Sequence, residues 1–108
     1  MIYELRIYHA LPGRMPALNN RFANLTVGLF KKHGIEVVGF WMPYVGGANN
    51  QLIYILGFKD LAHREQAWDA FQADPEWIQG RAESEKDGAM ISHLENILMR
   101  PTNYSPMQ

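Results

Sequence analysis

The pattern of apolar residues predicts four β-strands, of which the first alternates apolar and polar positions and the second and third are apolar at nearly every position. The corresponding segments are residues 1–11, the stretch between Gly34 and Val45, residues 51–58 and residues 89–99. The sequence "VGGANN" separates the second segment from the third and is typical of a turn. We therefore expect these two strands to form a hairpin.

Two helical regions lie between the strands. The first follows Pro16 and is expected to end at Gly34, a natural left-handed cap. The second begins at the N-cap residue Asp60, restarts at Asp74 and ends at Gly88. The inward faces are predicted to carry Leu18, Phe22, Leu25 and Leu29 in the first region and Leu61, Trp68 and Phe71 in the second.

The order of elements is strand, helix, strand, strand, helix, strand, which predicts an α+β fold. Two βαβ-like halves joined by a hairpin are typical of the ferredoxin-like βαββαβ sandwich. In that topology both helical regions cover the same face of a four-stranded antiparallel sheet. The other face has no cover from its own chain.

The two hairpin strands are apolar on both faces. The second strand is predicted to place Val37, Gly39 and Trp41 on one face and Val38, Phe40 and Met42 on the other. The third strand offers Leu52, Tyr54, Leu56 and Phe58 against Ile53, Ile55 and Gly57. Apolar surface left in water costs about 25 cal/mol per Å², and a large exposed apolar patch usually marks an interface. We therefore predict a homodimer formed sheet against sheet about a two-fold axis.

Pro43 adds a detail to this arrangement. Proline has no amide hydrogen for a ladder hydrogen bond. The second strand is therefore predicted to lie at a sheet edge or to contain a bulge.

Length and composition bound the function. The 108 residues are enough for one domain, and we assign residues 1–101 to it and residues 102–108 to a C-terminal tail. Without cysteine the chain has neither disulfides nor thiolate ligands. Ten basic and eleven acidic residues give a net charge of −1 with no basic cluster, which argues against a nucleic-acid partner.

The sequence also predicts where the protein is found. No apolar run approaches the roughly 18 residues needed to cross a bilayer, so no membrane insertion is expected. The sequence begins with an alternating strand rather than a targeting segment. We therefore expect a cytoplasmic protein.

Familiar catalytic signatures are missing from the sequence. It has no G-x-S-x-G elbow, no P-loop and no G-x-G-x-x-G motif. Its histidines, His9, His33, His63 and His93, do not show the close spacing of metal ligands. We predict neither a metal site nor a cofactor.

Polar residues on the first and fourth strands are the main candidates for chemistry. Glu4, Arg6 and Tyr8 share one face of the first strand, and His93 or Glu95 of the fourth strand is expected opposite them. One interpretation is a cross-strand ion pair of Arg6 with Glu4 or Glu95 that fixes the register. The other is a cavity between two sheets, where Arg6 orients a ligand and Glu4, Glu95 or His93 moves protons.

The sheet aromatics allow the same two interpretations. Trp41, Tyr54 and Phe58 are either core and interface residues or a platform for an apolar ligand. The sequence does not decide between them.

Several segments together resemble the NIPSNAP family. They are "YELRIY" followed by "PGR", then "HGIEVVGFW", "LIYILGFKDLAHREQAW", "DPEW" and "ENILMRP", which span Tyr3 to Pro101. The resemblance implies a dimeric α/β barrel, in which two four-stranded sheets close around a shared interior. It implies no particular reaction, although relatives on the same barrel include cofactor-independent monooxygenases and haem-degrading enzymes.

Two functional hypotheses follow. In the first, a homodimeric barrel binds a small apolar or aromatic molecule near Arg6, Tyr8, Trp41 and Tyr54, with cofactor-independent oxygen or proton chemistry. In the second, a non-catalytic scaffold dimer has a packed barrel and acts through its surface. Whether the protein is an enzyme stays open at this point.

Overall fold

The sheet of the computed structural model, which describes residues 1–108, has four strands. They are β1 (Ile2–Ala10), β2 (Glu36–Trp41), β3 (Gln51–Phe58) and β4 (Ile91–Met99). Their order across the sheet is β2-β3-β1-β4, and every neighbouring pair is antiparallel. The predicted ferredoxin-like α+β topology is confirmed, with β2 and β4 at the two edges.

The first helical region consists of three consecutive segments. These are α1 (Met15–Arg21), a π-helical turn (Phe22–Thr26) and α2 (Val27–Lys32). The hydroxyl of Thr26 donates a hydrogen bond to the main-chain oxygen of Arg21 at 3.4 Å, inside the widened turn. The sequence did not predict this turn, because the apolar spacing continues through it.

The second region contains α3 (Leu61–Ala73) and α4 (Pro75–Ser84). The predicted caps are confirmed: Asp60 accepts a hydrogen bond from the amide of His63 at 2.8 Å, and Asp74 accepts one from the amide of Glu76 at 2.9 Å. Leu61 was predicted to face inward but is exposed. No helix in the chain is both long enough and apolar enough to span a bilayer.

The core lies between the helices and one face of the sheet. From β3 it takes Leu52, Tyr54, Leu56 and Phe58, and from the helices it takes Leu18, Phe22, Leu29, Phe30 and Phe71. The rings are in edge and tilted contact, with centroids 5.2 Å apart both for Phe22 with Tyr54 and for Phe30 with Phe71. Such contacts stabilise beyond the burial of area alone.

A bulge in β2 changes which residues share a face. Val37 pairs with Leu56 and Gly39 with Ile55, so Val38 is an extra residue in the ladder. Our assignment of Val37 to the face of Trp41 was therefore wrong, because one inserted residue reverses the alternation. The expectation that β2 is an edge strand or contains a bulge is confirmed on both counts.

The bulge also settles the roles of the two adjacent aromatics in β2. Phe40 packs on the core and stacks on Tyr54, with ring centroids 4.7 Å apart. Trp41 lies on the opposite face and is half-exposed. Its indole covers Gly39, where a Cβ would lie 2.6 Å from Cη2 of the ring.

The opposite side of the sheet, which we call the uncovered face, has no helix over it. Its apolar residues are Leu5, Ile7, Trp41, Ile53, Ile55 and Ile97, which the strand register places side by side. All of them are partly or largely exposed. The prediction that the helices cover only one face is confirmed.

The C-terminal residues turn back toward β1. The hydroxyl of Tyr3 donates a hydrogen bond to the main-chain oxygen of Gln108 at 2.9 Å. Together with Ile55 and Met99, the residues after β4 line a cavity of about 300 Å³ beside the uncovered face. The separation of a 102–108 tail from a 1–101 domain stays a prediction.

The position of the core gives a stability prediction. Leu56 has no exposed surface, so Leu56→Ala is expected to lower the free energy of unfolding by about 2–5 kcal/mol. Ile78 is exposed on α4, and Ile78→Ala is expected to change it by no more than about 0.5 kcal/mol. Urea denaturation of both variants checks the difference, and equal losses would contradict this placement of the core.

Candidate functional site

A buried carboxylate is the centre of the polar cluster between the sheet and α3. Glu4 has no exposed surface. Its two oxygens accept hydrogen bonds from Arg6 Nη1 at 2.9 Å, Arg64 Nε and Nη2 at 2.8 and 3.1 Å, Asn96 Nδ2 at 3.0 Å and Trp68 Nε1 at 3.3 Å. This set of donors satisfies a charge that would otherwise be very costly to bury.

Local structure explains how these groups meet. Glu4 and Arg6 are two residues apart on β1 and therefore point to the same face of the sheet. Arg64 and Trp68 are four residues apart on α3 and share one side of that helix. Asn96 of β4 pairs directly with Arg6, which brings its amide beside Glu4.

The surroundings keep Glu4 ionised. Burial alone would raise the pKa of this carboxyl, but hydrogen bonds from Arg64 and Asn96, together with the charge and hydrogen bond of Arg6, lower it to about 2. The cluster therefore holds a carboxylate anion at any ordinary pH. A group with so low a pKa is a weak base.

Arg6 makes polar contacts on several sides. Nε donates to the hydroxyl of Tyr54 at 2.7 Å, and Nη2 donates to the hydroxyl of Tyr8 at 3.3 Å. Its guanidinium carbon lies 4.8 Å from the centroid of the Trp68 ring, a cation–π contact. Burial is the main reason, and the neighbouring Tyr8 the second, why the pKa of Tyr54 is well above its usual value. The phenol therefore stays neutral.

The cluster carries one unmatched positive charge. Arg6 and Arg64 both pair with the carboxylate of Glu4. Neither guanidinium has another acidic partner within 4.0 Å. Two cations and one anion leave a net charge of about +1 on the cluster. The Arg64 side chain is 26% exposed, so part of this charge reaches solvent.

Beside the cluster, the helix-facing side of β4 has no cover. Leu94, Asn96 and Leu98 pair with Tyr8, Arg6 and Glu4 and so face the helices, yet all three are exposed. We call these three residues the β4 surface. It places exposed leucine side chains next to the partly exposed Arg64.

The predicted site residues separate onto the two faces of the sheet. Those on the helix-facing side are Glu4, Arg6, Tyr8, Tyr54 and Phe58, while those on the uncovered face are Trp41, His93 and Glu95. The prediction of a single cavity between two sheets is therefore wrong, because Glu4 and Arg6 cannot line it together with Trp41, His93 or Glu95. Even-numbered residues of β1 point to the helices, and a dimer partner on the uncovered face cannot reach them.

The predicted ion pair of Arg6 forms with Glu4 and not with Glu95. Arg6 pairs with Glu4 at 2.9 Å. Glu95 instead lies 2.9 Å from Nε2 of His9 on the uncovered face. Tyr54 and Phe58 have no exposed surface and belong to the core.

Three members of the cluster were missed by sequence reasoning. Arg64 and Trp68 carried a signal, since a cation and an aromatic residue four positions apart share a helix face. Asn96 was missed because the strand register was unknown. Asn96 and Glu95 point to opposite faces, and a register error of one residue exchanges them.

The cluster gives a prediction about pH and stability. Glu4→Gln leaves two guanidiniums without a counter-charge, so it is expected to lower the free energy of unfolding by about 3–5 kcal/mol at pH 7. In the wild type, the stabilisation from the Glu4 charge is complete above the unfolded pKa of 4.5 and is lost as pH falls toward 2. The difference between the two proteins should therefore shrink over that interval in denaturation curves.

The matched control is Glu83→Gln. Glu83 pairs with Lys86 on the surface, and both side chains are largely exposed. This substitution is expected to change stability by less than about 1 kcal/mol. A Glu4→Gln protein that is as stable as this control at pH 7 would contradict the role of the buried carboxylate.

Comparison with known proteins finds relatives that are similar to this chain in sequence and in structure. A mouse protein, NipSnap homolog 3B, is 32% identical over 75 residues, which are 69% of this chain and 30% of the mouse protein. The chain thus spans about a third of the length of the NipSnap homologues that it matches. A crystal structure of a NIPSNAP family protein of unknown function from Agrobacterium tumefaciens is 29% identical, with a TM-score of 0.86 over 100% of this chain and 94% of that one.

A more distant structure shares the fold alone. It is a variant of MhuD with two manganese protoporphyrin IX molecules bound per active site, 11% identical with a TM-score of 0.58 over 94% of each chain. The sequence model of the NIPSNAP family matches residues 3–106, which are nearly the entire chain. The resemblance seen in the sequence motifs is confirmed, and this chain belongs to the NIPSNAP family.

Proposed function

We propose that this protein is a homodimeric binding protein for a small apolar or aromatic acid, held on the β4 surface beside Arg6 and Arg64. The observation that carries the proposal is the unmatched positive charge next to exposed leucines. The ligand would supply an anionic group for the charge and an apolar body for the leucines.

The charge favours an anionic group. Glu4 neutralises only one of the two guanidiniums, and Arg64 keeps part of its side chain in solvent. A guanidinium presents its donors in a planar fork that suits a carboxylate or sulfonate. An incoming anion would complete the pairing without breaking the hydrogen bonds to Glu4.

The apolar surface favours a hydrophobic body. Leu94 and Leu98 are each 43% exposed although they face the helical side of the sheet. Tyr8 lies opposite Leu94 and is half-buried, so it adds an aromatic ring to the edge of the same surface. Small-molecule sites usually combine apolar walls with a few polar groups that fix orientation.

The geometry supports binding better than catalysis by Glu4. The carboxylate is tied into five hydrogen bonds and has a pKa of about 2. A general base works best with a pKa near the working pH. Cofactor-independent monooxygenase chemistry would therefore need a different proton acceptor.

The fold supports a bound organic molecule and a second copy of the chain. The MhuD variant holds two manganese protoporphyrin IX molecules per active site on a related fold. The uncovered face exposes a row of aliphatic residues and Trp41. The sheet of a second copy of the chain would pack against this face and bury those residues. The β4 surface lies on the opposite, helix-facing side of the sheet, so the ligand site and the dimer interface are separate.

A scaffold dimer without a ligand is the second candidate. It is favoured by the complete packing between helices and sheet, where Tyr54, Phe30 and Phe58 have no exposed surface. The two candidates share the dimer and differ at the β4 surface. A binding experiment at that surface separates them.

The binding prediction uses two fluorescent probes that differ in one group. 1-Anilinonaphthalene-8-sulfonate has an aromatic body and an anion, while N-phenyl-1-naphthylamine has the body alone. Arg64→Gln is expected to weaken binding of the sulfonate by about tenfold or more, through loss of a charge-assisted contact. Binding of the neutral probe is expected to change by no more than about twofold.

Two further variants serve as controls for the probes. Arg64→Lys keeps the charge and should retain most of the affinity for the sulfonate, whereas Arg81→Gln removes an exposed arginine of α4 and should change nothing. Unchanged sulfonate binding in a folded Arg64→Gln protein would favour the scaffold candidate.

The dimer has its own prediction. Ile97 is 56% exposed at the uncovered face, and Ile97→Asp would place a charge between the two sheets. In sedimentation velocity at micromolar concentration, the wild type is expected to be a dimer and Ile97→Asp a monomer. Ile78→Asp, on the exposed side of α4, should remain a dimer. A monomeric wild type would contradict the sheet-to-sheet interface.

A further inference from the structure

Strand pairing brings two histidines and a glutamate together on the uncovered face. His9 of β1 lies directly opposite His93 of β4, and Glu95 is two residues further along on the same face. The ligand atoms of the three residues all lie within 4.8 Å of one another. We propose that His9, His93 and Glu95 bind a divalent first-row metal ion, with Zn²⁺ as the best fit.

Ser92 orients His93 as a ligand. The Ser92 hydroxyl donates its single hydrogen to the main-chain oxygen of His9 at 3.0 Å, and the hydroxyl oxygen Oγ itself lies 3.0 Å from His93 Nδ1. Because that hydrogen is already used, Ser92 Oγ accepts from Nδ1, which therefore carries a proton. The lone pair of the neutral ring is then on Nε2, as a metal ligand requires.

His9 and Glu95 already face each other. His9 Nε2 lies 2.9 Å from Glu95 Oε1, the separation of a hydrogen bond, and Glu95 has no other cationic partner within 4.0 Å. A metal ion would take the place of the shared hydrogen, and the proton would leave the ring nitrogen, moving to Nδ1 or to water. The carboxylate keeps its charge and partly neutralises the ion.

The two imidazole rings must tilt out of their stack to form a coordination shell, because each ring binds a metal ion in its own plane. The rings of His9 and His93 are stacked with centroids 4.0 Å apart and planes 11° from parallel. Donors around Zn²⁺ lie about 2.0–2.2 Å from the ion, so the three ligand atoms must converge by roughly 1 Å. Glu95, whose side chain is 60% exposed, is free to follow the movement of the rings.

The donor set indicates the class of metal. Two imidazole nitrogens and one carboxylate oxygen suit Zn²⁺, and the same donors occur in non-haem Fe²⁺ sites. Three protein ligands leave at least one position open for water or an exogenous ligand. This site is separate from the β4 surface, which lies on the other side of the sheet.

The test is isothermal titration of the 108-residue chain with zinc chloride after chelator treatment. The wild type is expected to bind one Zn²⁺ per chain with micromolar or tighter affinity. His9→Ala and His93→Ala are each expected to weaken binding by at least about tenfold, and Ser92→Ala by about 10–100-fold through loss of orientation. His63→Ala, which removes a histidine of α3, should leave the affinity unchanged.

A second measurement distinguishes ligation from a general effect on folding. Addition of Co²⁺ should give visible absorption bands of a nitrogen- and oxygen-coordinated ion, and these should be lost in His93→Ala. Glu95→Gln alters an exposed side chain and provides a variant that keeps its fold. Millimolar Zn²⁺ affinity in the wild type would overturn the proposal. Equal Zn²⁺ affinity in the wild type, in Glu95→Gln and in His93→Ala would also overturn it.

Discussion

Burial of a single carboxylate constrains how the helical layer and the sheet of this protein fit together. Glu4 on β1 accepts hydrogen bonds from α3 through Arg64 and from β4 through Asn96. A buried charge that loses its partners costs several kcal/mol, so β1, β4 and α3 must keep their relative positions. The strand register and the placement of α3 are thus linked through one residue.

The same constraint shapes the two sides of the sheet. On the helix-facing side, Glu4 is paired with two guanidiniums, and the second positive charge leaves the cluster positive beside the exposed leucines of β4. On the other side, no polar network is needed, and aliphatic residues dominate apart from the group around His9 and Glu95. Ligand binding is therefore assigned to the helix-facing side of β4, whereas dimer formation and metal binding share the uncovered face.

Sequence patterns predicted the topology well because each strand and helix has its own periodicity and its own end signals. Asp60 and Asp74 marked the helix starts, and alternation grouped the four core residues of β3 on one face without indicating that this face meets the helices. Pro43 indicated an edge strand or a bulge but not its position, and the bulge at Val38 moved Val37 to the helix side. Long-range pairs were the main failure, since the opposition of Asn96 to Arg6 and of His93 to His9 depends on a register that no single strand contains.

Native mass spectrometry of the freshly purified wild-type protein tests the account most directly, because it reports stoichiometry and retained molecules together. We expect a main species with twice the 12.4 kDa mass of the chain and an additional organic acid that denaturation releases. A spectrum that contains only the bare single chain at micromolar concentration would contradict it.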